Sequence, residues 1–103
     1  MMDRLDHVAI PVEDIGKALD WYRSRFDIEI AYRDESWALG RFDNVALALV
    51  MPDQHPPHIA VARDDAERQG PLTPHRDGTA SVYVKDPWGN AVEYLKPAGN
   101  KPV

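Results

Sequence analysis

The sequence predicts an α+β domain built from two copies of one β-α-β-β-β unit. Three observations carry this. The first half alternates strand and helix periodicities in that order. A proline-rich linker follows it. After the linker the order of landmarks restarts.

In the first half, Leu5 to Val12 alternates, with Val8, Ile10 and Val12 on one face and His7, Ala9 and Pro11 on the other. Asp14 is placed to cap a helix running to about Phe26, with Ile15, Ala18, Leu19, Tyr22 and Phe26 as its apolar stripe. Ile28 to Arg33 alternates as a strand. Ser36 to Phe42 reads as another, interrupted by Gly40. Asp43-Asn44 turns the chain into Val45 to Met51, whose uniformly apolar character predicts a deep strand. Pro52-Asp53-Gln54-His55-Pro56-Pro57 is the linker. His58-Ile59-Ala60-Val61 then repeats His7-Val8-Ala9-Ile10 at an offset of 51 residues, and Asp64-Asp65 answers Glu13-Asp14. Asp64 to Gln69 reads as a short helix, about half the first. Ala80 to Lys85 and Ala91 to Lys96 are strands, joined by the turn Asp86-Pro87-Trp88-Gly89-Asn90, in which Gly89 and Asn90 are the residues suited to positive φ. Asp43-Asn44-Val45-Ala46-Leu47 aligns with Gly89-Asn90-Ala91-Val92-Glu93. The chain is therefore expected to be one domain, residues 1–103, with module one at about 4–52 and module two at about 57–97.

Composition bounds the function. A 44% apolar fraction over 103 residues suits a folded globular chain with a modest core. The net charge of −5, with no run of Lys or Arg, argues against nucleic acid or an anionic membrane surface as partner. No apolar run approaches a membrane span, and Met1-Met2-Asp3-Arg4-Leu5 has no signal-peptide core. The absence of cysteine excludes disulfides and thiolate metal sites and is compatible with the cytoplasm.

Three residues share a local pattern. His7 precedes Ala9 on one strand face, His58 precedes Ala60, and Glu93 follows Ala91. In each case the branched neighbours point to the opposite face, where helices would pack. Small neighbours on the face of His7, His58 and Glu93 would leave a cavity. Two imidazoles and one carboxylate there would leave open positions on a divalent metal. The position aligned with Glu93 in the first unit is Leu47, so one site per chain is expected. Spacing alone leaves a second reading open, because it does not show that the three side chains converge. A histidine at a strand start is often only hydrogen-bonded or solvated, and a glutamate on a short strand often faces water.

The chain resembles the vicinal oxygen chelate superfamily, which includes glyoxalase I, methylmalonyl-CoA epimerase, bleomycin- and fosfomycin-resistance proteins and extradiol ring-cleavage dioxygenases. The resemblance runs from Leu5-Asp6-His7-Val8 to Val92-Glu93. Its most characteristic part is the Asp-Pro-x-Gly-Asn turn with Glu three residues beyond it. It implies paired β-α-β-β-β modules whose sheet curls around a pocket. It also implies one divalent metal ion (Fe(II), Mn, Zn, Ni or Co) on His7, His58 and Glu93. A narrower similarity to the ring-cleavage enzymes rests on Thr73-Pro74-His75, Val82-Tyr83, Asp86-Pro87-Trp88-Gly89 and Glu93. It implies a substrate-donor role for Tyr83 and an outer-shell role for His75. For these two a core aromatic and a loop residue are the plainer readings. The acid–base histidine of those enzymes has no counterpart near Asp43. The resemblance thus implies a metal-dependent enzyme, of extradiol-dioxygenase or lyase/isomerase type. Its substrate would be a small molecule that chelates the metal through two oxygens. A homodimer is expected. The alternative is a metal-free small-molecule binding protein of the bleomycin-resistance type, with Trp37 and Trp88 stacking on the ligand or simply packing at strand ends.

Overall fold

The computed structural model describes residues 1–75 and 77–99. Its elements in chain order are β1 (Arg4–Pro11), α1 (Ile15–Arg25), β2 (Glu29–Arg33), β3 (Trp37–Arg41), β4 (Ala46–Val50), β5 (His58–Ala62), a 3-10 turn (Ala66–Gln69), β6 (Thr73–Pro74), β7 (Ala80–Lys85) and β8 (Ala91–Lys96). Among the described residues the class is α+β, with a mixed sheet and one α-helix. The chain divides into two compact units. One is His7–His58. The other joins Met1–Asp6 to the chain from Ile59 onward.

In the His7–His58 unit the strand order is β2-β3-β4-β1. β4 is bonded on both sides, antiparallel to β3 and parallel to β1, with His7 opposite Ala46 and Ile10 opposite Leu49. Its uniform apolarity follows from this, because both of its faces are covered. Leu47 and Leu49 face α1, while Ala48 and Val50 face away from it. The helix starts at Asp14, whose extended backbone (φ −149) and carboxylate, accepting from the Lys17 amide at 2.9 Å, satisfy one of the orphan donors of the first turn. Arg23 and Arg25 sit in the last turn, where cations complement the helix dipole. Phe26 ends the helix in an extended conformation. Ile15 and Leu19 are buried against Ala38 and Leu49, with Ile10, Val12 and Tyr22 around them. Full burial of one such leucine contributes about 2 kcal/mol.

Gly40 does not break β3. It pairs with Ile30 on one side and Leu47 on the other, and a Cβ there would stand 3.3 Å from the Ile28 Cδ1. The β2–β3 connection is tied by Asp34, which accepts from the Ser36 amide at 2.7 Å, the Trp37 amide at 3.0 Å and the Tyr32 hydroxyl at 2.5 Å. The Tyr32 hydroxyl, then the two amides, hold the Asp34 carboxyl well below the usual carboxylate range.

In the second unit the strand order is β5-β8-β7-β6. β7 and β8 pair over their full lengths, Ala80 with Lys96 through Lys85 with Ala91. The turn between them is organised by Asp86. Its carboxylate accepts from the Trp88 and Asn90 amides and from the Asn90 side chain, each at 2.9 Å. Gly89 alone in the turn takes positive φ (+87), so Asn90 acts here as a donor and not as a left-handed residue.

The short helix expected over Asp64 to Gln69 is instead a four-residue 3-10 turn, Ala66–Gln69. Asp65, which precedes the turn, makes no cap bond, because its carboxylate is taken by the Arg63 guanidinium at 3.0 Å. Gly70, at φ +148, then ends the turn just before Pro71. The two-residue strand β6, paired with Ala80 and Ser81, was not expected from the sequence. No helix among the described residues is long and apolar enough to cross a membrane.

Candidate metal centre

His7 and His58 lie at opposite ends of the first unit's sequence and meet within it. Their Nε2 atoms are 3.1 Å apart, and the rings stand edge to face at 77°. His58, 9% exposed, opens β5 directly after Pro56-Pro57. Its Nδ1 is 2.8 Å from the Pro56 carbonyl. A carbonyl can only accept, so Nδ1 carries the hydrogen and Nε2 of the neutral ring presents its lone pair toward His7. This tie of a ring N–H to a backbone carbonyl is how metal-ligating histidines are commonly fixed in tautomer and orientation.

On the face of His7 the near neighbours within this unit are small. Ala9, Ala48 and Val50 are buried there beneath Trp37 and Leu39. β3 supplies those two half-buried side chains on the same face as the alanines. Trp37 itself stacks on Tyr32, with ring centroids 4.5 Å apart. A cleft of about 500 Å3 opens at the start of α1 beside Glu13, Asp14, Arg33 and Asp34. It lies away from both histidines, and Asp14 and Asp34 are engaged in the cap and turn described above.

In the second unit, Glu93 sits on β8, 5% exposed. Tyr83 is its direct cross-strand partner on β7. Burial first, then the charge of Glu93 and a hydrogen bond to it, push the Tyr83 phenol up to about 12, so the hydroxyl stays protonated at neutral pH. His75 approaches the same carboxylate, its Nε2 4.0 Å from Oε2. The Ser81 hydroxyl, 2.8 Å from that Nε2, holds the ring in place. The structure thus gathers Tyr83 and His75 around Glu93.

Ser81, 2% exposed, was not singled out from the sequence. The available signal was its alternation with Tyr83, which puts it on the face of Glu93 and Leu95. The sequence alignment of the two hairpins also needs a correction of one residue. Arg41 pairs with Ala46, and Lys85 with Ala91. Counted from these closing pairs, Glu93 corresponds to Ala48 and not to Leu47. The first unit still has no carboxylate at that place.

Residues 4–69 match the sequence profile of the Glyoxalase/Bleomycin resistance protein/Dioxygenase superfamily. The chain belongs to this superfamily. Solved structures agree on the fold. A methylmalonyl-CoA epimerase variant from Streptomyces coelicolor, in complex with 2-nitronate-propionyl-CoA, is 16% identical with a TM-score of 0.76, covering 96% of this chain and all of that one (100%). A superfamily member from Vibrio splendidus 12B01 is 14% identical with a TM-score of 0.72, over 93% of this chain and 100% of its own. A hypothetical protein from Bacillus halodurans C-125 is 13% identical with a TM-score of 0.72 over 100% of both chains. No curated protein sequence matches the chain. The superfamily includes enzymes, the epimerase among them.

Proposed function

We propose that the protein is a divalent-metal-dependent enzyme acting on a small substrate that chelates the metal through two oxygens, in the manner of an extradiol dioxygenase or a lyase/isomerase. His7, His58 and Glu93 are the proposed ligands. The observation that carries the reading is the histidine pair. Two nitrogens each about 2.1 Å from one ion stand 3.1 Å apart when they subtend roughly 95°, which suits neighbouring positions of an octahedral site.

The chain's own groups are prepared for this. The Pro56 carbonyl holds the proton of His58 on Nδ1, away from the metal side. In the metal-free protein the Nε2–H of His7 donates to His58. As a neutral ligand through Nε2, His7 would carry its proton on Nδ1 instead. When bound, the metal would act as a Lewis acid that stabilises negative charge developing on the substrate oxygens. Two neutral imidazoles and one carboxylate leave a divalent centre net positive, suited to an anionic oxygen pair. We further propose a homodimer, supported by the exposed apolar side chains of Leu5 and Ile59, and a cytoplasmic location, with which the absence of cysteine agrees.

Elemental analysis of protein purified without chelator, repeated on His58→Ala, tests the reading. Metal held near one ion per chain by the wild type and lost from the variant is the expected result. Equal metal content in both, or none in either, overturns it. The second of these outcomes would favour the metal-free binding protein.

A further inference from the structure

We propose that Tyr83 acts on Glu93 and not on the substrate: its hydroxyl donates to one carboxylate oxygen, so that the other is aimed at the metal. The inference deepens the metal reading above and rests on it. Three observations lead to it. Tyr83 and Glu93 are directly opposed on adjacent antiparallel strands, where side chains on one face stand about 5 Å apart at Cβ and a phenol readily reaches a carboxylate. Glu93 is 5% exposed, so each oxygen needs a partner within the protein or on a ligand, and a hydrogen bond joins the two side chains. His75 lies on the Oε2 side at 4.0 Å, itself held by Ser81 at 2.8 Å.

A glutamate carboxylate has two equivalent oxygens and three rotatable bonds, and it ligates through one oxygen or through both. A hydroxyl fixed on the neighbouring strand removes that freedom. It occupies one oxygen and leaves one-oxygen ligation. Because β7 and β8 are paired from end to end, the donor is carried by a rigid ladder and not by a loop. Tyr83 is therefore a positioning residue, and the substrate-donor role implied by the resemblance to ring-cleavage enzymes is reassigned.

The test is Tyr83→Phe, which removes one oxygen atom from a side chain that is 46% exposed. Affinity for Co(II) is measured by chelator competition on wild type, Tyr83→Phe and His58→Ala. Infrared difference spectra of metal-loaded minus metal-free protein then report the splitting of the carboxylate stretches. The expected result is about 10- to 100-fold weaker Co(II) binding in Tyr83→Phe, the usual cost of losing an outer partner of a metal ligand. The carboxylate splitting should change from the one-oxygen toward the two-oxygen pattern. The thermal midpoint of the metal-free variant should fall, because the buried carboxylate loses a donor, so the Co(II) affinities are compared at a temperature where both proteins are folded.

Unchanged Co(II) affinity and unchanged splitting in Tyr83→Phe, with His58→Ala still deficient, would overturn this inference and leave the metal reading standing. Co(II) binding that is absent in wild type, or insensitive to His58→Ala, would overturn both.

Discussion

Glu93→Gln separates stability from function at this site. The carboxylate is 5% exposed, with Tyr83 across the ladder and His75 at 4.0 Å. In metal-free protein, glutamine keeps the shape and an acceptor oxygen for Tyr83 but removes a buried charge. A single buried charge carries a desolvation cost that an uncharged group of the same shape does not. Metal-free Glu93→Gln is therefore expected to melt at or above the wild-type temperature. Adding metal reverses the order. At a free metal concentration 100 times Kd, the wild type gains about 2.7 kcal/mol. For a domain of this size that raises Tm by roughly 10–20 °C. If loss of the carboxylate weakens binding about 100-fold, the same metal concentration gives the variant only about 0.4 kcal/mol, roughly 2–3 °C. The assay is a pair of thermal melts for each protein, in chelator and in Co(II). A Glu93→Gln variant that melts well below wild type in chelator, or gains as much from Co(II), would refute the reasoning.

Two further predictions concern the scaffold. Leu19→Ala empties a site 2% exposed between α1 and β4, and should cost about 2–5 kcal/mol by urea denaturation. A loss under about 1 kcal/mol would mean that α1 is not anchored as described. The Asp86 carboxyl is lowered from its ordinary value of 3.8, first by the Asn90 side chain and then by the Asn90 amide. A depressed folded value means that its stabilisation is complete above the ordinary value and is lost as pH falls through the folded one. Fluorescence of the exposed Trp88 should therefore report opening of the turn only below about pH 4. The acid limb should flatten in Asp86→Asn, and an unchanged limb in that variant would contradict the assignment.

The readable parts of the chain were those whose determinants are local. Asp14 capped the helix as expected, and β7 and β8 took the bounds set by alternation and by the turn between them. What escaped depended on partners distant in sequence or on competition for one side chain. Asp64-Asp65 resembled a helix start, yet Arg63 takes the Asp65 carboxylate. Trp37 and Leu39, which pack on the alanines of the His7 face, come from another strand, and the strand of His7 itself gives no sign of them. The two hairpins differ by one turn residue, which shifted the alignment of Glu93 from Ala48 to Leu47. Ser81 looked like an ordinary strand residue until its bond to His75 was visible. The meeting of His7 with His58 across the first unit was suggested by the repeat, but the Pro56 carbonyl that fixes the His58 tautomer was not.

X-ray absorption at the metal edge of Co(II)-loaded protein tests the central claim most directly, because it counts ligands by type. The account predicts two imidazole nitrogens per ion, with the remaining scatterers oxygen, falling to one imidazole in His7→Ala. A first shell of oxygen alone, or an imidazole count unmoved by His7→Ala, would contradict it.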